Sequence, residues 1–254
     1  MTREAPHNVP SADFDRFSDT YEQMVNQSVW LAGEGAEYFA ELKARYLAHF
    51  LGPTFCGKVL DFGCGVGLLS GFVLSCLPGC QLHGYDLSRA SLGQIRPEVS
   101  KRGNFTSLEH ELDTDYDVIV VANVMHHVAK AGRQNLILSL ERRLGEAGTL
   151  AIFEHNPLNP LTRWAVKQCP FDVGVTLLWP REVRKYCAAA GLVPRRQHYI
   201  TFFPRKLASL RFLEPALTWC PLGAQYAVMA DRAVGWRNTL YRVRQSAGEH
   251  APRT

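Results

Sequence analysis

The sequence predicts an α/β fold, a mostly parallel sheet of seven strands with helices on both faces. Three observations carry that prediction. Short apolar runs alternate with amphipathic helical patterns from residue 58 onward. The stretch Tyr116–Asn123 contains VIVVAN, an unbroken apolar run of the kind that forms a strand buried on both faces. The strand pattern Val59, Leu60, Phe62 runs into three glycines at alternate positions, Gly63, Gly65 and Gly67, and then into helix. A strand that breaks into a glycine loop and a helix is a place where such sheets cradle a nucleotide-like ligand.

The elements follow in order. Residues 1–12 are polar, carry Pro6 and Pro10, and read as disordered. Residues 13–53 read as an N-terminal helical cap. Phe14, Phe17 and Tyr21 fall at helical spacing, and Glu34–Phe50 forms a second helix with Phe39, Leu42, Tyr46 and Phe50 on one face. Gly52 and Pro53 break it. Residues 54–232 form the main α/β domain. Its strands are expected at about 58–63, 81–86, 104–109, 116–123, 149–154, 195–203 and 224–231. Its helices are expected at about 66–76, after Ser88 as N-cap, at 132–144 with a stop near Gly145, and at 181–190. Two inserts interrupt it. Residues 156–179 are rich in Pro and Asn and read as a proline-stiffened loop; residues 204–222 are strongly apolar, with Leu207, Leu210, Phe212, Leu213, Leu217 and Trp219. The second insert is suited to wall a pocket, form a dimer face or touch a membrane surface. Residues 233–254 read as a tail.

Composition bounds the function. A chain of 254 residues with 46% apolar content buries a full core as one decorated domain. The net charge is only +4, which argues against a nucleic-acid enzyme with a dense basic face. The seven cysteines form no C-x-x-C pair, which argues against zinc, and no metal is expected. The polar, acidic start is unlike a signal peptide, and no apolar run reaches the length of a membrane span. The reading is a reduced, cytoplasmic protein, monomer or homodimer, with free thiols.

The glycine loop identifies its ligand by detail. The dinucleotide fingerprint G-x-G-x-x-G fails, because Leu68 stands where the third glycine belongs. Asp61 opens the loop. A carboxylate there opposes a pyrophosphate and suits a ligand bearing an ammonium and a sulfonium. The segment resembles motif I, (D/E)-x-G-x-G-x-G, of the class I S-adenosylmethionine (SAM) methyltransferases: Asp61, Gly63, Gly65 and Gly67 match it, with Cys64 between the first two glycines. The resemblance covers roughly residues 14–230. It implies a Rossmann-like domain, SAM as cofactor, and SN2 transfer of its methyl group to an oxygen, nitrogen or activated carbon of a small, apolar or aromatic metabolite.

Other residues acquire roles from that resemblance. Asp86, closing the second strand, is placed to accept hydrogen bonds from both ribose hydroxyls, and Leu87 to touch the adenine. The adenine edge falls in the acidic loop Glu109, Glu111, Asp113, Asp115, with Glu111 and Leu112 as its candidates. Asp117 is read as structural. The opening Phe14–Tyr21 resembles the F-D-x-x-A-x-x-Y-D piece that folds over the cofactor; Tyr21 matches, and Glu22 stands where Asp is usual.

The acceptor side is read from two strand ends. Asn123, His126 and His127 follow the fourth strand and resemble the N-x-(L/M)-H-H stretch of small-molecule methyltransferases, where a histidine acts as base or shapes the pocket. Asn123 faces the cofactor side. Glu154 and His155 end the fifth strand; a His127–His155 acid/base pair and a Glu154–His dyad are both available. Arg163 is a candidate clamp for an acidic group on the substrate. The run EHNPLNPLTR, with CPFD at 169–172, resembles a branch of bacterial methyltransferases. The absent (D/N)-P-P-(Y/F/W) motif argues against base methylation. A macromolecule methyltransferase and a non-catalytic SAM-binding module remain as alternatives.

Overall fold

The computed structural model describes residues 35–169, 172 and 174–233. The segment with Tyr21, the stretch 1–12 and the tail beyond 233 lie outside the described residues.

The first helix, α1 (Ala36–Leu51), ends at Gly52, whose φ of 89° lets its N–H return to the Ala48 carbonyl. Its buried stripe is Ala36, Ala40, Lys43, Ala44 and Leu47. This corrects the expected face, since Phe39, Leu42, Tyr46 and Phe50 are only half-buried. The small alanine side chains let α1 come close against α2 (Leu68–Cys76), and the larger rings lie on its flanks.

The sheet then builds as expected. Its strands are β1 (Lys58–Phe62), β2 (Gln81–Tyr85), β3 (Gly103–Thr106), β4 (Tyr116–Ala122), β5 (Leu144–His155), β6 (Leu192–Ile200) and β7 (Gln225–Arg232). They lie in the order β3-β2-β1-β4-β5-β7-β6, all parallel except β7, which runs antiparallel to both neighbours. The chain reverses direction of winding between β1 and β4, and their carboxyl ends open the crevice where ligands bind in such sheets. Alternate residues of the central strands point to opposite faces. Val59, Val118 and Phe153 pack with α1 and α2. Leu60, Ile119 and Ile152 pack on the other face, in the same core as residues of α5 (Arg133–Glu141) and α7 (Pro180–Ala189). Short helices α3 (Arg89–Gly93) and α4 (Pro97–Ser100) join β2 to β3, and Ser88 caps α3 by accepting from the Ser91 N–H at 3.0 Å.

Several boundaries differ from the sequence expectation. The third strand stops at Thr106, and Glu109–Glu111 is a 3₁₀ turn held by the Thr106 hydroxyl. The fifth helix ends at Glu141, and β5 begins at Leu144 with a register shift against β4 at Tyr116. Gly148 sits in that irregularity because a Cβ there would lie 2.7 Å from the Tyr116 carbonyl. The sixth strand starts at Leu192 and tolerates Pro194 because it is the sheet edge. The expected loop after β5 contains α6 (Pro160–Gln168). Pro160 occupies its first turn, and the Asn159 side chain accepts from the Thr162 N–H at 3.0 Å. The apolar insert is a 3₁₀ segment, Arg205–Leu217, that buries none of its residues. Among the described residues no helix is long and apolar enough to cross a membrane.

Candidate active site

The glycine loop leaves the end of β1 and curls back on β2. The N–H groups of Gly63 and Cys64 both donate to the Tyr85 carbonyl, at 2.7 and 3.0 Å. All three glycines have positive φ: 81°, 53° and 73° for Gly63, Gly65 and Gly67. They differ in what surrounds them. A Cβ on Gly63 would meet Val124 at 2.4 Å, and one on Gly67 would meet Ile95 at 3.1 Å, whereas one on Gly65 would meet nothing within 4 Å. Gly63 is therefore required by packing, while Gly65 faces open space along the loop.

Asp86 ties the loop down. One carboxylate oxygen accepts from the Gly65 N–H at 2.8 Å, and the other accepts from the Ser88 N–H at 2.9 Å. Leu87, beside it, is exposed at the cavity wall. Of the acidic loop it is Glu109 that reaches this wall. Glu111 instead accepts from the Thr106 hydroxyl, and Leu112 is buried in the core. Asp117 accepts from the Lys58 N–H at 2.8 Å and so ties the start of β1 to β4.

Asp61 lies beneath the loop, buried, and accepts from the Ser70 hydroxyl at 2.6 Å. Burial pushes its carboxyl up to about 6. Lys43, buried on α1, also lines the cavity; burial lowers its ammonium to about 8 against the opposing pull of Glu154 and Asp61. Its position on an alanine stripe was the sequence signal that a cation is kept inside. The expected aromatic side of the same helix flanks that stripe, with Leu42, Tyr46 and Phe50 packed against the core.

The histidines line the same cavity. Just after β4, Asn123 lies in the left-handed region, φ 57°, and its buried side-chain oxygen has no hydrogen-bond partner among the described residues. The turn that follows presents His126 and His127. Fully buried Glu154 holds it from below: one oxygen accepts from the Met125 N–H at 2.8 Å and the other lies 2.6 Å from His126 Nδ1. The available Glu154–His dyad is thus formed with His126. His126 Nε2 and His127 Nε2 lie 3.3 and 3.4 Å from one oxygen of Asp172. The His155 ring is 5.2 Å from that of His126.

Asp172 was not identified as a site residue from the sequence, although it closes the CPFD run. Its N–H donates to the Cys169 carbonyl after α6. Buried Arg133 bridges the two segments, donating to the Val128 and Thr176 carbonyls, each at 2.9 Å.

Charge in this group is sharply divided. Burial disfavours a charged His126, but Glu154 and Asp172 outweigh it and hold the imidazolium up to about 10. Burial and the neighbouring His126 charge push His127 and His155 down to about 4, so both are neutral at physiological pH. Glu154 and Asp172 stay below the usual carboxylate range: burial opposes this, and His126 overcomes it.

The glycine loop and the histidines line one cavity of about 810 Å³. Lys43, Asp61, Asp86, Asn123, His126, His127, His155 and Asp172 all reach it. Apolar walls come from Phe39 of α1, Leu161 and Trp164 of α6, and Phe202 and Phe203 after β6. The apolar insert contributes little beyond this point: Phe212 and Trp219 are each 75% exposed. Arg163 is exposed on α6 and is not among the lining residues. Among the residues lining the cavity, four carboxylates, Asp61, Asp86, Glu109 and Asp172, face the Lys43 ammonium and the His126 imidazolium, an excess of negative charge that suits a cationic ligand. With the open space at Gly65 and the unpaired Asn123 oxygen, these residues fit SAM.

Comparison with known proteins agrees. A family model described as a methyltransferase domain matches residues 60–150. A ubiquinone biosynthesis O-methyltransferase of Azoarcus sp. (strain BH72) is 27% identical over 200 residues, covering 70% of this chain and 75% of its own. A SAM-dependent methyltransferase from Archaeoglobus fulgidus superposes with a TM-score of 0.65 at 14% identity, covering 84% of this chain and 100% of its own. A protein assigned as an O-methyltransferase from Nostoc punctiforme PCC 73102 gives 0.58 at 16% identity; 86% of this chain is covered, spanning 60% of that longer one.

Proposed function

The chain belongs to the class I SAM-dependent methyltransferases, and from that premise we propose that it methylates a small, apolar or aromatic metabolite, at oxygen before nitrogen or activated carbon. One observation carries the reading: the glycine loop with Asp86 and the histidine group line the same cavity. The O-methyltransferase relative supports oxygen as the acceptor atom.

SAM, when bound, supplies an electrophilic methyl on a sulfonium; the S–CH₃ bond breaks as the acceptor–CH₃ bond forms, and the electron pair stays on sulfur. Gly63, Gly65 and Asp86 hold and orient the donor. Asp61 supplies negative charge toward its ammonium, and Lys43 is the buried cation available for its carboxylate. Phe39, Trp164, Phe202 and Phe203 exclude water and seat the acceptor, so alignment supplies most of the rate. The proton lost by the acceptor leaves through the histidine group, where His127 and His155, both held neutral, line the cavity.

The test incubates the full chain with methyl-labelled SAM and a panel of phenols, catechols and hydroxylated apolar compounds, beside RNA and protein fractions. Label is expected in a small acceptor and absent with Asp86→Ala. Label appearing only in RNA or protein would overturn the substrate class, and no label in any fraction would overturn the activity.

A further inference from the structure

The histidine group has a geometry that proton transfer alone does not require. His126 Nε2, His127 Nε2 and an Asp172 oxygen all lie within 4.8 Å of one another, on the wall of the cavity. The two histidine–carboxylate edges, 3.3 and 3.4 Å, match the separation of about 3.4 Å between neighbouring ligands of a tetrahedral ion with bonds of about 2.0–2.1 Å. Behind His126, Glu154 takes Nδ1 at 2.6 Å and is itself fixed by the Met125 N–H. A buried carboxylate on the far nitrogen of a histidine keeps the proton on Nδ1 and turns Nε2 outward, the arrangement that supports metal-ligating histidines; an ion that takes Nε2 displaces the imidazolium proton there to solvent. Asp172 is placed by its own N–H bond to Cys169, and Arg133 ties its segment to the histidine turn. The three donors thus come from two segments with separate anchors, and the excess of lining carboxylates favours a cation.

We propose that His126, His127 and Asp172 bind one divalent first-row transition ion, of the zinc or iron(II) class. Two imidazoles with one carboxylate suit these ions better than magnesium or calcium, which favour oxygen. Three protein ligands leave a coordination position open to the cavity. An acceptor hydroxyl that took it would lose its proton more readily: the O–H bond breaks, the electron pair stays on the metal-bound oxygen, and the proton passes to the neutral His155 or to solvent. That consequence rests on the methyl-transfer reading of the cavity; the binding of the ion does not.

The test is a titration of the full, chelator-stripped chain with Co²⁺, followed by visible absorption, after alkylation of the accessible thiols such as exposed Cys56. One equivalent per chain with a d–d band of nitrogen and oxygen ligation is expected, displaced by Zn²⁺. His127→Ala and Asp172→Asn each weaken it at least tenfold, with SAM affinity retained as the check that they fold. Asp86→Ala retains the cobalt spectrum while losing SAM, so failure of the metal site and failure of the methyl-donor site are read separately. If Asp172→Asn does not fold, His127→Ala on the other segment decides alone. Absence of stoichiometric uptake by the wild type, or uptake unchanged in the folded variants, overturns the proposal.

Discussion

Gly65 and Gly63 share a positive φ but not a reason for it. A methyl on Gly63 meets Val124 at 2.4 Å, whereas one on Gly65 enters open space. Gly63→Ala is expected to destabilise the fold by about 2–4 kcal/mol through overpacking and left-handed strain. Gly65→Ala carries only the strain, about 1–2 kcal/mol, yet weakens SAM binding at least tenfold; thermal melts beside SAM titrations separate the two. Asp61 adds a pH dependence. Its folded pKa, about 6, lies above the ordinary 3.8 because burial disfavours the charge; Ser70 and Lys43 oppose that rise and Asp86 adds to it. The unliganded fold therefore binds the extra proton between those values, and this group's contribution to stability falls as pH rises through them. SAM favours the ionised form, so its affinity should climb with pH up to and through about 6, and binding near pH 5 should release protons. Calorimetry in buffers of different ionisation enthalpy measures that release; none at pH 5 would contradict the role given to Asp61. The loop residues and Asp86 were legible because their chemistry is written in local spacing. Lys43 and Asp172 were not, because each reaches the cavity by tertiary packing of a segment distant from the motifs.

Among the elements, the turn after β4 and the segment after α6 make the acceptor side only if they are held together. Arg133, 2% exposed, does this with two backbone bonds. Arg133→Met should cost about 1–3 kcal/mol, because it removes two charge-assisted, part-buried hydrogen bonds to the Val128 and Thr176 carbonyls. It should also raise the acceptor KM more than the SAM Kd, since the glycine loop does not depend on it. Equal losses in both would show that Arg133 supports the whole domain and not this juxtaposition. Strands were read well from the sequence because a parallel sheet leaves unbroken apolar runs. The α6 helix was missed because Pro157 and Pro160 read as loop residues, although Pro160 sits where helices begin; a proline marks a first turn as readily as a break.

At the scale of the molecule, one strand order explains why the site can be built at all. The carboxyl ends of β1, β2, β4 and β5 meet at one edge, so the glycine loop, Asp86, Asn123 with the histidines, and His155 reach one cavity although the sequence separates them. The fold class and the identity of the methyl donor followed from that order of motifs; the acceptor did not, because its walls come from α1, α6 and the loop after β6, whose apolar residues specify shape more than chemistry. The division between a donor wall and an acceptor wall is the central claim. Calorimetric titration of SAM into the wild-type chain, Asp86→Ala and His127→Ala tests it most directly. The predicted result is one micromolar site in the wild type, no heat in Asp86→Ala and near-wild-type binding in His127→Ala; no SAM heat in the wild type, or undiminished binding in Asp86→Ala, would contradict it.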